Sequence, residues 1–572
     1  VATTGGVGPM GGVVTTGGVV TTGGTGGIGG TGGVGGTGGF MPTGGVGPTG
    51  GVSPTGGVSP TGGVSPTGGV APTGGVAPTG GVAPTGGVSP IGGVSPTGGD
   101  PGTGGDPGTG GDPGTGGDPG TGGSTTDVTV NLTATHQTIQ GFGINSALMP
   151  GGKSFPVNEM FSTNGERGIG LSILRVGMNT DGSLTGQGVS EARAAGAKII
   201  GSCWSAPANC KSNNKTTDGG YLLESCYESW STTIANFAEQ QNLYAMSIAN
   251  ESDFASCPGN PVCTDSYDTM TYTANQMVKW VKVAGPKLRA KGIKVIAPEA
   301  SEWIHVWGNA SGTGSIVASH PDSSDPHQCG CFAHEPTNEG CAAKCLNGDG
   351  YDYGHWLWND QDAWNAFDIL GVHEYDSQVA FPWPADVNGG VRDREVWQTE
   401  MSGVMHWPEQ GPSTDIANGV AVAGWIHSAL TVGEASAWLY WWYEAYYQND
   451  NEGLALIQNS STIAKRYFTL GNYSKFVRPG FVAVEVTGPV PANVLLSAYK
   501  SDAGAVVVVA INKGSSAVDV PITIAGGTAP TSMTPWVTSA QDNLVSKAAV
   551  TVTGGVFTAS LPATSVTSFV SG

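Results

Sequence analysis

Two glutamates, Glu251 and Glu400, each stand at the end of a short apolar run, LYAMSIANE (243–251) and REVWQTEMS (394–402). Two carboxyl groups facing each other across a sugar can divide the roles of general acid and nucleophile in glycosidic cleavage. That division requires one to keep its proton near neutral pH while the other stays ionised, so their surroundings must differ. Asn250, directly before Glu251, is placed to bond a sugar 2-hydroxyl. Arg175, within LSILRVGM (171–178), could hold Glu400 ionised by its charge, and Tyr375 could donate it a hydrogen bond. A single glutamate at a strand end is usually only a solvated end. Two of them, with an asparagine directly before one, point instead to catalysis, with Glu251 as acid/base and Glu400 as nucleophile. His373 closes another run, FDILGVHEY (367–375), but the glutamates already fill both proton-handling roles, so it reads as a structural strand end. Trp204, Trp303, Trp441, Trp442 and Tyr443 also fall at the ends of runs, where flat rings can stack on sugar faces. Core packing is the competing account of these rings.

Positioning such groups requires strands that end together. Besides the runs already quoted, GFGINSA (141–147), AKIIGSCWSA (197–206), KVIAPEAS (294–301) and SAWLYWWYE (436–444) have strand character, which makes eight. Amphipathic stretches such as 227–241 and 273–291 lie between them. Strands alternating with helices predict an α/β fold, a (β/α)8 TIM barrel, whose chemistry sits at the C-terminal strand ends. No Gly-rich phosphate turn follows a strand, so a doubly wound nucleotide-binding sheet is disfavoured. HWLWNDQDAW (355–364) has the spacing of a packed helix. After Gly480 come short strands without helices, the pattern of a β-sandwich side domain over 479–572. Alternation in DVTVNLTATHQTI predicts a strand over 126–140 that joins this sandwich, leaving 141–478 for the barrel.

Residues 1–125 are of another kind. Units such as TGGVSP, TGGVAP and TGGDPG repeat, without the glycine at every third place that collagen needs. Such a composition buries no core and predicts a disordered Gly/Pro/Thr-rich spacer.

The 572-residue chain carries a net charge of −21, which argues against nucleic acid and anionic membranes as partners. No apolar run is long enough to span a membrane. The chain opens on Val1, compatible with a leader already removed. All nine cysteines lie between Cys203 and Cys345. The spacings Cys210/Cys226 and Cys257/Cys263 suit local disulfides in an oxidising compartment, a secreted or cell-surface setting. Cys329, Cys331, Cys341 and Cys345 are read as two disulfides, with a zinc site as the alternative. An odd count leaves one thiol over, assigned to Cys203 inside a strand. Neither a metal nor a cofactor is expected in the active site, and a monomer is expected.

The motifs QTIQGFGINSA (137–147), LRVGMNTDG (174–182), WSAPANCKSNN (204–214), SIANESD (247–253), APEASEW (297–303), WQTEMSG (397–403), GNYSKFVRPG (471–480) and LPATSVTSFV (561–570) occur in this order. Over residues 127–572 the chain thereby resembles glycoside hydrolase family 30, in the retaining clan of (β/α)8 hydrolases. The resemblance implies double displacement: Glu400 attacks, while Glu251 protonates the leaving oxygen and then activates water. Two departures stand out. Family members usually carry proline after the acid/base glutamate; here it is Ser252. Glucuronoxylan-specific members follow the Trp-Trp-Tyr of the last strand with arginines that pair with a glucuronate branch; here Glu444, Ala445 and Tyr446 follow. A carboxylate repels a uronate, so strict glucuronate dependence is not expected. The substrate implied is a β-linked plant polysaccharide, foremost β-1,4-xylan. The alternatives are a β-1,6-galactan or glucan, or a non-catalytic polysaccharide-binding role.

Overall fold

A computed structural model of the chain describes residues 127–149, 155–217, 219–254, 267–307, 352–375, 380–402, 415–444, 453–456 and 459–572. The repeat, the Cys257/Cys263 pair, the 329–345 cysteine group, Ala445 and Tyr446 lie outside these residues.

The chain enters on β1 (Val128–Thr138) and then builds eight parallel strands. These are β2 (Gly141–Asn145), β3 (Ile173–Met178), β4 (Lys198–Cys203), β5 (Ala245–Ser247), β6 (Lys294–Ala300), β7 (Ile369–His373), β8 (Glu395–Glu400) and β9 (Ala437–Tyr440). They pair in sequence order, and β9 pairs back onto β2, Ala437 opposite Gly141, which closes the barrel. Every one of the eight apolar runs became a strand, because a strand buried on both faces needs continuous apolar character. Ile173, Ile200, Ala245, Ile296, Ile369, Trp397, Ala437 and Leu439 form a compact cluster drawn from seven of these strands, the packed interior of a closed barrel.

Helices cover the outside. They are α1 (Val189–Ala194), α2 (Tyr227–Gln240), α3 (Ala274–Ala290), α4 (Trp303–Trp307), α5 (Tyr353–Asn359), α6 (Gln361–Trp364), α7 (Ile416–Thr431) and α8 (Lys465–Ser474). α3 starts at a capping box: Gln276 N–H donates to Thr273 Oγ1 and Thr273 N–H to Gln276 Oε1. No helix among the described residues is long and apolar enough to cross a membrane. A disulfide joins Cys210 to Cys226, and Cys203 is a buried free thiol, as an apolar strand position favours.

The side domain comprises β10 (Val482–Thr487), β11 (Val494–Lys500), β12 (Val506–Asn512), β13 (Val518–Ala525), β14 (Ser532–Thr538), β15 (Val556–Leu561) and β16 (Ser565–Ser571). Hydrogen-bonded neighbours run β14–β16–β12–β11–β10–β1–β13–β15, so the entering strand β1 lies inside this sheet. The path folds over itself as a sandwich: Phe557 of β15 meets Phe569 of β16 at 5.3 Å, in a core with Val130, Leu496, Val508 and Ile522.

Helix α8 joins the two parts and is buried from Arg466 to Ser474. Asn472 donates from Nδ2 to the Trp536 carbonyl (2.9 Å) and Ser568 Oγ (3.0 Å). It accepts from Thr538 Oγ1 at Oδ1 (2.6 Å) and from Ser568 Oγ at its own carbonyl (2.6 Å). At Gly471 a Cβ would lie 2.7 Å from Ile169 and 2.9 Å from Leu544, so only glycine fits.

Candidate active site

Glu251, Glu400, Arg175, Asn250 and Tyr375, singled out in the sequence, meet at the C-terminal strand ends. Arg175 projects from β3 and is wholly buried. Its Nη1 donates to Glu400 Oε2 at 2.5 Å, and its Nη2 donates to Asn250 Oδ1 and, at 3.2 Å, to Glu299 Oε2. Trp204, just beyond β4, covers the guanidinium with its ring centroid 4.6 Å away. Gly177 permits this approach: a Cβ there would lie 3.0 Å from the Trp204 ring. Tyr375 Oη donates to Glu400 Oε1 at 3.0 Å.

Two irregularities in the ladder aim the acidic groups. Between β6 and β7 the register shifts between Pro298 and Ala300, leaving Glu299 unpaired with a φ of +55°. Between β7 and β8 a second shift skips Thr399 and sets His373 opposite Glu400. Bulges of this kind re-aim a side chain from its regular face.

An oxygen of Glu251, an oxygen of Glu400 and a ring nitrogen of His373 all lie within 4.8 Å of one another. His373 Nδ1 is 3.3 Å from Glu251 Oε1 and 3.8 Å from Glu400 Oε1. Burial lowers the imidazole pKa, while the Glu400 charge pulls it back up. Three such ligands can hold a divalent ion. Here a guanidinium bonded to Glu400 would oppose a cation.

The two carboxyl environments differ. Burial, followed by the charge of Asp253, pushes Glu251 up to about 8. Burial also raises Glu400, but His373, Arg175 and the Tyr375 hydroxyl all work to favour its charged form. For Glu251 the Arg175 charge acts on that side but is outweighed by burial and Asp253. Glu400 is therefore the group that ionises first, and Glu251 the one that keeps its proton. Glu299 is ionised too: burial would raise it, but Arg175, then His373 and Ser202, bring it below the usual carboxylate range.

Asn250 Oδ1 is taken by Arg175, whereas its Nδ2 is buried without a partner. Trp441 and Trp442 stack at 4.7 Å with 17° between planes, and Trp204 lies 6.1 Å from Trp441. The Trp442 indole N–H is anchored on the Ala147 carbonyl. Tyr443 lies elsewhere: 1% exposed and edge-on to Tyr467, it has no face for a sugar. Trp303 is wholly buried as well. Both rings belong to the apolar core, Trp303 as the first residue of helix α4 and Tyr443 beside Tyr467. The packed-helix reading of 355–364 corresponds to α5 and α6, with Trp364 buried edge-on to Trp358 and Phe367.

Sequence reasoning missed three neighbours of the pair. His373, by sequence a structural strand end, touches Glu251. Glu299 and Asp253 were not singled out. Their signal was an acidic residue inside or directly after an apolar run, as at Glu299 in KVIAPEAS. The segments that directly follow β5, β6, β7, β8 and β9 in sequence include 255–266, 308–351, 376–379, 403–414 and 445–452, outside the described residues. A groove of about 1070 Å³ lies away from the pair, between Arg167, Phe476 and Trp536 at the edge of the sandwich.

Residues 481–569 match the model of the glycosyl hydrolase family 30 beta sandwich domain. The chain is 28% identical over 467 residues to the glucuronoxylanase XynC of Bacillus subtilis (strain 168), covering 78% of this chain and 92% of that relative. It also resembles the solved structure of the glycoside hydrolase family 30 subfamily 8 xylanase Xyn30A from Clostridium acetobutylicum. The TM-score is 0.58 at 28% identity, over 78% of this chain and 99% of that one. A family 30 endoxylanase from Clostridium papyrosolvens C71 gives a TM-score of 0.56 at 25% identity, over 78% and 100% of the two chains. The barrel, the attached sandwich and these relatives together support glycoside hydrolase family 30 as the family of this chain.

Proposed function

We propose that the protein is a secreted, retaining endo-β-1,4-xylanase in which Glu400 is the nucleophile and Glu251 the acid/base. The observation that carries this reading is the approach of the two carboxyl groups, an oxygen of each within 4.8 Å of the other. Retaining glycosidases hold their carboxyl groups about 5–5.5 Å apart, and inverting ones about 6.5–9.5 Å to admit a water. In the first step Glu400, ionised beside Arg175, attacks the anomeric carbon while Glu251 gives its proton to the leaving glycosidic oxygen. In the second, Glu251 takes a proton from water, which displaces Glu400 from the sugar with net retention. Arg175 orients Glu400, and Tyr375 steadies its other oxygen. Asn250 keeps Nδ2 free for the sugar 2-hydroxyl, a bond that strengthens in the transition state. Trp204 roofs Arg175, and the Trp441–Trp442 stack flanks it; any sugar platform belongs to these rings and not to Tyr443.

Xylan as substrate rests on the likeness to relatives described as glucuronoxylanase and xylanase. Dependence on a glucuronate branch is not part of the proposal, because Glu444 follows Tyr443 where a uronate would need a cation. The Cys210–Cys226 disulfide fits an oxidising, extracellular setting.

The test is reducing-sugar release from xylan, glucuronoxylan, arabinoxylan, pustulan and arabinogalactan, with the product anomer followed by proton NMR. Xylan cleavage with a first-formed β-anomer, lost in Glu400→Ala with folding intact, is the expected result. Near-wild-type hydrolysis by Glu400→Ala removes the mechanism, an α-anomer removes retention, and pustulan or arabinogalactan as preferred substrate removes xylan. Substitution of Glu444→Arg should raise the glucuronoxylan-to-xylan rate ratio.

A further inference from the structure

Glu251 is presented by a turn, and that turn has its own brace. Its φ is +45°, a left-handed conformation that a non-glycine residue keeps only when its surroundings hold it there. Ser252 follows in place of a proline, so no ring restricts the chain at this point. Two backbone bonds close the turn, Phe254 N–H to the Glu251 carbonyl (2.9 Å) and Tyr272 N–H to the Ser252 carbonyl (2.7 Å). The third restraint is a side chain. Asp253, buried, accepts from Ser301 N–H at 2.9 Å, from Ser301 Oγ at 2.9 Å and from His305 Nδ1. The Ser301 carbonyl in turn accepts from Tyr375 N–H at 3.2 Å. Asp253 thus ties together the segments that carry Glu251, Glu299 and Tyr375.

His305, on α4, stands between two carboxylates: Nδ1 is on Asp253, and Nε2 is 3.7 Å from Glu302. An acidic group stands at each ring nitrogen, and against burial the contact with His305 helps bring Asp253 below its ordinary range. The groups facing Glu251 are Asp253 from its own loop, Arg175 from β3, Glu299 from β6, His373 from β7 and Glu400 from β8. Arg175 is shared between Glu299 and Glu400 and does not reach Asp253, whose countercharge is His305.

We propose that the Asp253–His305 pair is a positioning device for Glu251: Asp253 fixes the turn that presents this carboxyl, and the balance of charge between Asp253 and His305 sets the pH at which its proton is released. The inference rests on Glu251 being the acid/base. Asp253 is, after burial, the largest influence holding the proton on Glu251, which agrees with the geometry.

The pair makes opposite predictions for its two members. In Asp253→Asn a negative charge near Glu251 is lost, so the alkaline limb of kcat/KM on xylan should move to lower pH by about one unit. In His305→Gln the countercharge is lost and Asp253 acts unscreened, so the same limb should move to higher pH. The acid limb, governed by Glu400, should stay in place in both. Limbs that do not move, or that move in the same direction, overturn the proposal, because a purely structural role lowers kcat or the melting temperature without opposed displacements. Should Asp253→Asn fail to fold, the partly exposed His305 decides alone: an upward shift supports the pair and none overturns it. Glu251→Gln separates the two levels. If it cleaves xylan normally, the acid/base assignment falls and this inference with it; if it is inactive on xylan yet still turns over an aryl xyloside whose leaving group needs no proton, unmoved limbs in the pair variants sink only the pair.

Discussion

Glu400 shares one guanidinium with Glu299, and this sharing, after burial, enters the pH response of the site. The proposed mechanism requires Glu251 protonated and Glu400 ionised. With Glu251 at about 8, kcat/KM should fall as pH rises through that value. On the acid side it should fall through a value above the ordinary carboxylate range, because burial raises Glu400. Glu299→Gln removes a buried negative charge that raises Glu251 and that competes with Glu400 for Arg175. Losing it favours the charged form of both, so both limbs should move to lower pH by about half a unit or more, read from pH-rate profiles. Displacement of the acid limb separates this variant from Asp253→Asn. Asn250→Ala should lower kcat and kcat/KM together by about 10²-fold or more, because its free amide acts on the transition state rather than on the bound ground state.

At the scale of elements, bulges and a buried helix decide where these groups point. The register shifts at Glu299 and Thr399 turn two strand residues from ladder positions into site positions. Helix α8 does the corresponding work for the attached sandwich. Asn472→Ala would leave the buried Thr538 hydroxyl without its acceptor and remove the amide's bonds to the half-buried Trp536 carbonyl and to Ser568 Oγ, which keeps its bond to the carbonyl of residue 472. Unpaired buried groups cost about 1–3 kcal/mol each, so a loss on the order of 3 kcal/mol should appear in chemical denaturation, with kcat little changed in what remains folded. Replacing Cys210 and Cys226 together by serine opens a loop with a sequence separation of 16. The chain-entropy account places the cost at about 3 kcal/mol, again measurable by denaturation.

At the scale of the whole molecule, barrel and sandwich are interlocked through both ends of the barrel. β1 lies within the sandwich sheet immediately before β2, and α8, the last barrel helix, is buried against β14 and β16. A fragment spanning 141–478 would lack β1 and expose the buried face of α8. It should be recovered insoluble or without a cooperative melt, whereas the intact chain should show one calorimetric transition for both parts. Two well-separated transitions would show the sandwich to be an independent domain.

The eight strands, the change to all-β after Gly480, the Cys210–Cys226 spacing and the pair Glu251 and Glu400 were legible in the sequence. Each is written locally, in apolar periodicity, in Cys spacing, or in a polar residue that ends an apolar run. Tertiary structure alone decided which of those end residues share a pocket. Tyr443 and Trp303 stand at run ends like Trp441 but turn into the core, Tyr443 beside Tyr467 and Trp303 at the start of helix α4. The partition of Arg175 between Glu299 and Glu400, and the contact of His373 with Glu251, join residues more than a hundred positions apart. Charge interaction depends on distance through a buried medium, and closing the barrel is what sets that distance.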